Sequence, residues 1–191
     1  MSEDSKSSLD YFKAFPVDDK LVEIVTEGGA GNTVDVVQRG IAMMVEAKKR
    51  KQPYIHVYCV FDKDDFDVER YGAAFSKAAA HNDLTAIWAN ECFELWYLLH
   101  FEFRNTGLGR AEIFRKLSEE GLLGKKYDKS DKSVYTLLES KHQVAIENSK
   151  KLLNAAKEEE IRSPWRVNPS TNVHEIVEAM NALCEVSPST V

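Results

Sequence analysis

The chain has 191 residues, which suits one compact domain with a sizeable core. Hydrophobic residues make up 43% and charged residues 29%, a balance that excludes wholesale disorder. The formal net charge of −6 excludes a strongly basic nucleic-acid coat. It leaves room for an acidic centre, because clustered carboxylates add negative charge that a bound divalent metal reverses locally. Residues 2–8 are polar and read as mobile. Residues 9–15 read as the end of a helix that Pro16 stops. Residues 20–26 read as a strand, with Gly28, Gly29 and Gly31 forming a turn after it. Asn32 or Thr33 then caps a helix to about residue 51, where Val36, Val37, Ile41, Met44 and Val45 recur at helical spacing.

Residues 54–61, YIHVYCVF, are the clearest strand: aromatic, β-branched and nearly continuous in apolarity, as a buried parallel strand should be. The spacing places it centrally in a sheet. An acidic loop, DKDDFD, follows. Residues 71–81 form an Ala-rich helix, 84–89 a short strand, and 92–101 a buried helix. Strand and helix alternate, the signature of an α/β sheet with right-handed crossovers. Residues 102–185 read as helices and loops, including a charged helix at 148–160 and an amphipathic one at 172–184. Residues 1–101 are therefore expected to form the α/β core, and 102–191 a helical extension packed on it as part of one unit.

The N-terminus has no apolar signal core, and no stretch approaches the apolar length needed to cross a bilayer. Three cysteines, Cys59, Cys92 and Cys184, without a CxxC pair, give neither a disulfide framework nor a zinc site. Cys59 and Cys92 read as buried, inert thiols, and a reducing cytoplasm fits.

Two stretches carry chemistry. Asp62, Asp64, Asp65 and Asp67 follow the central strand at once. Carboxylates at the C-terminal end of a parallel strand face the ligand crevice, and two of them spaced two residues apart can converge on one Mg²⁺. A solvated turn whose Asp caps the next helix is the plainer alternative. The second stretch, ANECFELWYLLHF at 89–101, sets Glu94 among Phe93, Leu95, Trp96, Leu98 and Leu99. A carboxylate there needs a metal, an Arg or Lys, or a raised pKa, unless it reaches solvent on a polar face. His100 in the same run reads either as a structural histidine or as a participant in the chemistry. Lys48, Lys49, Arg50 and Lys51 form a basic run, read as a solvated helix end before a nucleic-acid contact.

VFDKDDF at 60–66, ANECFELWYLLHF at 89–101, KKYDKS at 125–130, AIENSKKL at 145–152 and NPSTNVHEIVE at 168–178, in this order and spacing, resemble the RloB-like proteins of bacterial phage defence. The resemblance runs from Asp10 onward. It implies a Toprim-like parallel sheet flanked by helices, with a C-terminal helical extension. It implies metal ligands at Asp62, Asp64 and Asp65, with Mg²⁺ or Mn²⁺ as the cofactor. It matches Glu94 and His100 to the polar positions of the second motif, Lys129 to the lysine of the third, and Asn168, Ser170, Thr171 and His174 to the last. The chain departs from the family's opening strand and glutamate: SEDSKSSLDYF stands there, with Glu3 roughly at the glutamate's place, while Glu27 in VEIVTEGG offers a substitute. Loss of that first strand is the favoured reading, and the general base is Glu3 or Glu27. The resemblance implies a metal-dependent nuclease cleaving DNA or RNA, with a partner ATPase in some relatives. Two other readings stay open. One is an interaction module whose metal site has decayed. The other is a small-phosphoester hydrolase, to which the strand-DxD is the poorer match.

Overall fold

The structure, a computed structural model, describes residues 7–25, 33–63, 68–118 and 122–186. Three strands build its sheet. β1 (Val57–Asp62) pairs in parallel with β2 (Leu84–Asn90), and a two-residue β3 (Ser170–Thr171) pairs antiparallel with the end of β2. The expected parallel pairing is that of β1 with β2, and the short antiparallel β3 makes the sheet mixed. β2 holds the middle position and β1 the edge among the described strands. A strand also arises in the half that sequence read as helices and loops.

The apolarity of β1 and β2 is nearly continuous because both faces are covered. Cys59 and Phe61 of β1, with Leu84, Ala86 and Trp88 of β2, meet α2 (Thr33–Lys49) and α3 (Val68–Ala78). Val60 and Ile87 point the other way, into the larger core built by α1 (Ser7–Lys13), α4 (Glu94–Leu98), α5 (Arg110–Leu117), α6 (Val134–Leu138), α7 (His142–Glu158) and α8 (Val173–Val186). That is the period-two alternation of a strand. α2 lies so close on β1 that a Cβ at Gly40 would sit 2.7 Å from Cys59 Sγ, so glycine is needed there for the approach.

α2, α3, β1, β2 and α8 fall where the residue pattern puts them, within a few positions. Three segments differ. Residues 20–25 form no strand; Val22 and Ile24 pack half-buried on the larger core from irregular backbone, and Leu21 is exposed. The helix at 92–101 shortens to Glu94–Leu98 with turns on either side, and the helix at 148–160 starts earlier, at His142. Ser7 and Ser8, read from their polarity as mobile, open α1 and are buried. Tyr11 and Phe12 explain this: on the same helix they plug into Phe93, Tyr97 and Tyr135, and carry the serines in with them.

The 168–174 segment clamps the far edge of β2. The Asn172 side chain behaves as a short piece of strand: its Oδ1 accepts from Trp88 N at 2.9 Å and its Nδ2 donates to Ala86 O at 3.0 Å. Thr171 Oγ1 donates to Trp88 O at 2.7 Å, and Trp88 Nε1 donates to Ser170 Oγ at 3.2 Å. Buried backbone groups of β2 that would otherwise lack partners are thereby satisfied. Ser149 of α7 donates to Thr171 O and lies 2.8 Å from His174 Nδ1, tying α7 and α8 to the same clamp. Burial depresses the His174 pKa to about 4, so the ring stays neutral there. The motif residues Asn168, Ser170, Thr171 and His174 are accounted for by this architecture. Asn168 accepts from Leu108 N and donates to Leu108 O, fastening the loop before α5.

Candidate active centre at the strand ends

The parallel register pairs Asp62 with Ala89, and Lys63 N donates to Ala89 O at 3.0 Å. Asp62, 9% exposed, therefore stands one strand-spacing from the point where β2 turns into α4. Two residues beyond Asn90 lies Cys92, and Glu94 opens α4. Burial pushes the Cys92 thiol far above the ordinary thiol range, and the negative charges of Glu94 and then Asp62 add to the shift. Both carboxylates thus weigh on one buried thiol in the same direction. A thiol so placed stays protonated and inert, as its apolar setting suggested. Cys59, inside β1, is likewise pushed up by burial, to about 11.

Glu94 is 0% exposed. The polar-face alternative is therefore excluded, and the carboxylate is met by three side chains from two segments, α1 and the 125–130 loop. Ser7 Oγ of α1 donates to Oε1 at 2.8 Å, Tyr127 OH donates to the same oxygen at 2.7 Å, and Lys129 Nζ lies 3.5 Å from it. All of these fall on Oε1. Oε2 is buried without an oxygen or nitrogen donor, and the Cys92 thiol is the polar group that faces the carboxylate there. A buried carboxyl oxygen without a strong donor costs roughly 1–3 kcal/mol, so a cation or a proton donor would be stabilised beside this atom. Burial, with Glu94 close by, pushes the Tyr127 hydroxyl well above the ordinary phenol range, so it stays a donor.

Lys129 is about one-third exposed, at 35%, and its ammonium lies 5.6 Å over the Phe114 ring. It bridges the buried carboxylate and the surface. Beside it opens a cleft of about 500 Å³ lined by Phe114, Lys126, Tyr127, Asp128 and Lys129. A second crevice, next to Ser7 and Tyr97, measures about 10 Å³ and is too small for a substrate.

A model of the RloB-like protein family matches residues 1–180. The chain belongs to the RloB-like family. Comparison with curated proteins and with solved structures gave no match. Family membership accounts for the order of the motifs, and the geometry shows what several of them do in this RloB-like chain. The second motif supplies Glu94, the third supplies Tyr127 and Lys129 to meet it, and the last holds β2 in register.

Of the residues expected at the site, the structure brings Glu94 and Lys129 together, and Asp62 stands at the end of β1, across from Ala89 of β2. It does not bring His100 to them. That ring sits past the other end of α4, with Nδ1 bonded to Trp96 O at 2.8 Å and its edge against Trp96 and His142. Glu3, Glu27, Asp64 and Asp65 lie outside the described residues. Among the described residues no three His, Cys, Asp or Glu side chains are gathered closely enough to hold a metal. Also among them, no helix is long and apolar enough to cross a membrane. The basic run after α2 is exposed and includes a local pair, Lys49 to Glu46 at 2.8 Å.

Ser7 and Tyr127 were not singled out from sequence. Tyr127 stands inside KKYDKS, and a phenol two residues before a lysine in that motif is the signal that was available. For Ser7 the signal is weaker: it precedes Tyr11 by one helical turn and so shares its buried face.

Proposed function

We propose that this RloB-like chain is a metal-dependent phosphodiesterase acting on DNA or RNA. The observation that carries the reading is Glu94 Oε2, a fully buried carboxylate oxygen with no oxygen or nitrogen donor, at the start of the helix that follows β2, whose end pairs with Asp62 of β1. The donor set fits a hard cation, because Asp62 and Glu94 offer oxygen and Mg²⁺ or Mn²⁺ takes oxygen ligands while keeping several waters. Asp62, with Asp64 and Asp65 just after it in sequence, would hold the ion. Bound there, the ion would supply charge neutralisation at a phosphate and a more acidic bound water. Lys129 adds a fixed positive charge for the phosphate, held in place by Glu94 and the Phe114 face. Ser7 and Tyr127 fix Oε1, so the carboxylate cannot rotate away from the strand ends.

The test pairs a binding readout with an activity readout. Millimolar Mn²⁺ or Mg²⁺ should raise the melting temperature of the wild-type chain by mass action, and Asp62→Asn should weaken that response and abolish cleavage of a labelled oligonucleotide. An unchanged melting curve with no cleavage in either protein would instead favour a module that docks a partner such as an ATPase. Turnover of nitrophenyl phosphate with no cleavage of nucleic acid would favour a small-phosphoester hydrolase.

A further inference from the structure

Resting on the phosphodiesterase reading, the structure points to where the substrate strand lies. We propose that the cleft on Phe114, Lys126, Tyr127 and Lys129 receives one nucleotide of a single-stranded nucleic acid and leads its phosphate to the Glu94 centre. The position argues first. Tyr127 and Lys129 line the cleft and also reach Glu94 Oε1, at 2.7 Å and 3.5 Å, so an occupant of the cleft touches the groups that fix the carboxylate.

The chemistry of the walls argues next. The half-buried Phe114 and Tyr127 rings line the cleft, their centroids 5.3 Å apart and their planes tilted by 58°. Lys126 is exposed at the rim and Lys129 is anchored inside. Aromatic faces beside ammonium groups are the means by which proteins hold unpaired bases and their phosphates. Asp128 is the one acid in the lining among the described residues, and its Oδ1 is taken up by Ser130, which donates from N at 2.8 Å and from Oγ at 2.6 Å. Asp131 just beyond is paired with Lys125 at 2.7 Å. In a chain of net charge −6, a site for a polyanion has to be local, and this cleft is local to the acidic centre. A volume of about 500 Å³ accommodates a nucleotide. A duplex hides its base faces, so an aromatic lining selects the single strand.

The experiment is fluorescence anisotropy on the full chain without divalent metal, so that no strand is cut. Labelled single-stranded DNA, RNA of the same sequence and the matching duplex are compared across a salt series. Single strands should bind more tightly than duplex, and the tighter of the DNA and RNA arms names the sugar. Lys126→Ala should make the slope of log affinity against log salt shallower by about 0.7, as expected for one lost phosphate contact. Phe114→Leu, which fills the same space without a π-face, should weaken binding about ten-fold. Lys48→Ala, at the end of α2, should bind as wild type does. Wild-type affinity in both cleft variants, loss on Lys48→Ala instead, or a preference for duplex would each overturn the proposal. Cleavage with Mn²⁺ separates the two readings. Weakened binding in the cleft variants with no cleavage by wild type keeps the cleft and removes the hydrolase. Cleavage with unchanged KM and affinity in those variants keeps the hydrolase and removes the cleft.

Discussion

Glu94 and His100 stand six residues apart at opposite ends of one buried segment, and they meet burial in opposite ways. Glu94 keeps company with a cation and two hydroxyls, all on one oxygen. His100 is surrounded by Trp96 and His142, and burial lowers its pKa to about 3, so it stays neutral. Its Nδ1–H goes to Trp96 O, and Nε2 is left without a partner. Both residues have an unpartnered buried atom, but the atoms differ in consequence. A bare imidazole nitrogen on a neutral ring is a modest loss, whereas a bare oxygen on a carboxylate attracts cations and proton donors. The Glu94 end of α4 therefore carries the electrostatic demand, and the His100 end is packing.

The largest effect should come from Lys129→Ala. It leaves Glu94 at 0% exposure with two hydroxyl donors and, among the described residues, no cation. Breaking a buried pair from the exposed side strands the buried charge, and a loss of about 3 kcal/mol is expected. Urea unfolding at neutral pH reads it directly. A loss within error of zero would mean that Glu94 does not depend on Lys129, and the contrast between the two ends of α4 would weaken.

His100 supplies the second effect, through pH. Its ordinary value is 6.5 and its folded value about 3, so the unfolded chain takes up the proton first as pH falls. The stability held by the neutral ring is complete above 6.5 and drains away between 6.5 and about 3. At pH 5 the loss from this ring is about 2 kcal/mol relative to neutral pH. His142 is also depressed by burial, and His174 falls to about 4, so both act in the same direction. His100→Asn retains a donor for Trp96 O and removes one titrating group. Its urea midpoint should fall less than that of the wild type between pH 7 and pH 5. Parallel curves for the two proteins would show that His100 does not titrate across the transition.

These contrasts also show what sequence made legible. The α/β order was readable because β1, β2, α2 and α3 carry strong periodicity and their apolar runs have no other home. β3 was not readable: its two residues owe their pairing to the Asn172 side chain, a tertiary contact with no periodic trace. The 20–25 segment has strand-like residues, yet Val22 and Ile24 find their burial against the larger core without a ladder. At the site, Glu94 stood out because a carboxylate among large apolar residues demands an explanation. Its partners did not, since a serine in a polar N-terminus and a tyrosine in a charged loop look ordinary until the fold brings positions 7, 94 and 127 together. His100 looked as conspicuous as Glu94 in the sequence, because a run of letters cannot show that one end of a helix faces the strand ends and the other faces α7.

The smallest effect, and the sharpest test of the contrast, is Glu94→Gln. A buried ion pair that loses one member usually strands the other, at a cost of about 3–5 kcal/mol. Here the two members are unequally buried. Glu94 is sealed, while Lys129 is 35% exposed and can turn its ammonium into the open cleft. The amide oxygen of glutamine can still accept from Ser7 and Tyr127, so most of the polar contacts survive. The amide nitrogen takes the place of an oxygen that had no oxygen or nitrogen donor to lose. The expected cost is about 1 kcal/mol, clearly less than that of Lys129→Ala. In a Glu94→Gln background, Lys129→Ala should then cost almost nothing further, because the buried charge it compensated is gone. Urea unfolding of the two single variants and the double variant, without metal, gives the cycle. A Glu94→Gln loss equal to or above that of Lys129→Ala would mean that Lys129 is the sealed member in solution. Additive losses would mean that the pair is not coupled, and in either case the two ends of α4 would no longer differ in kind.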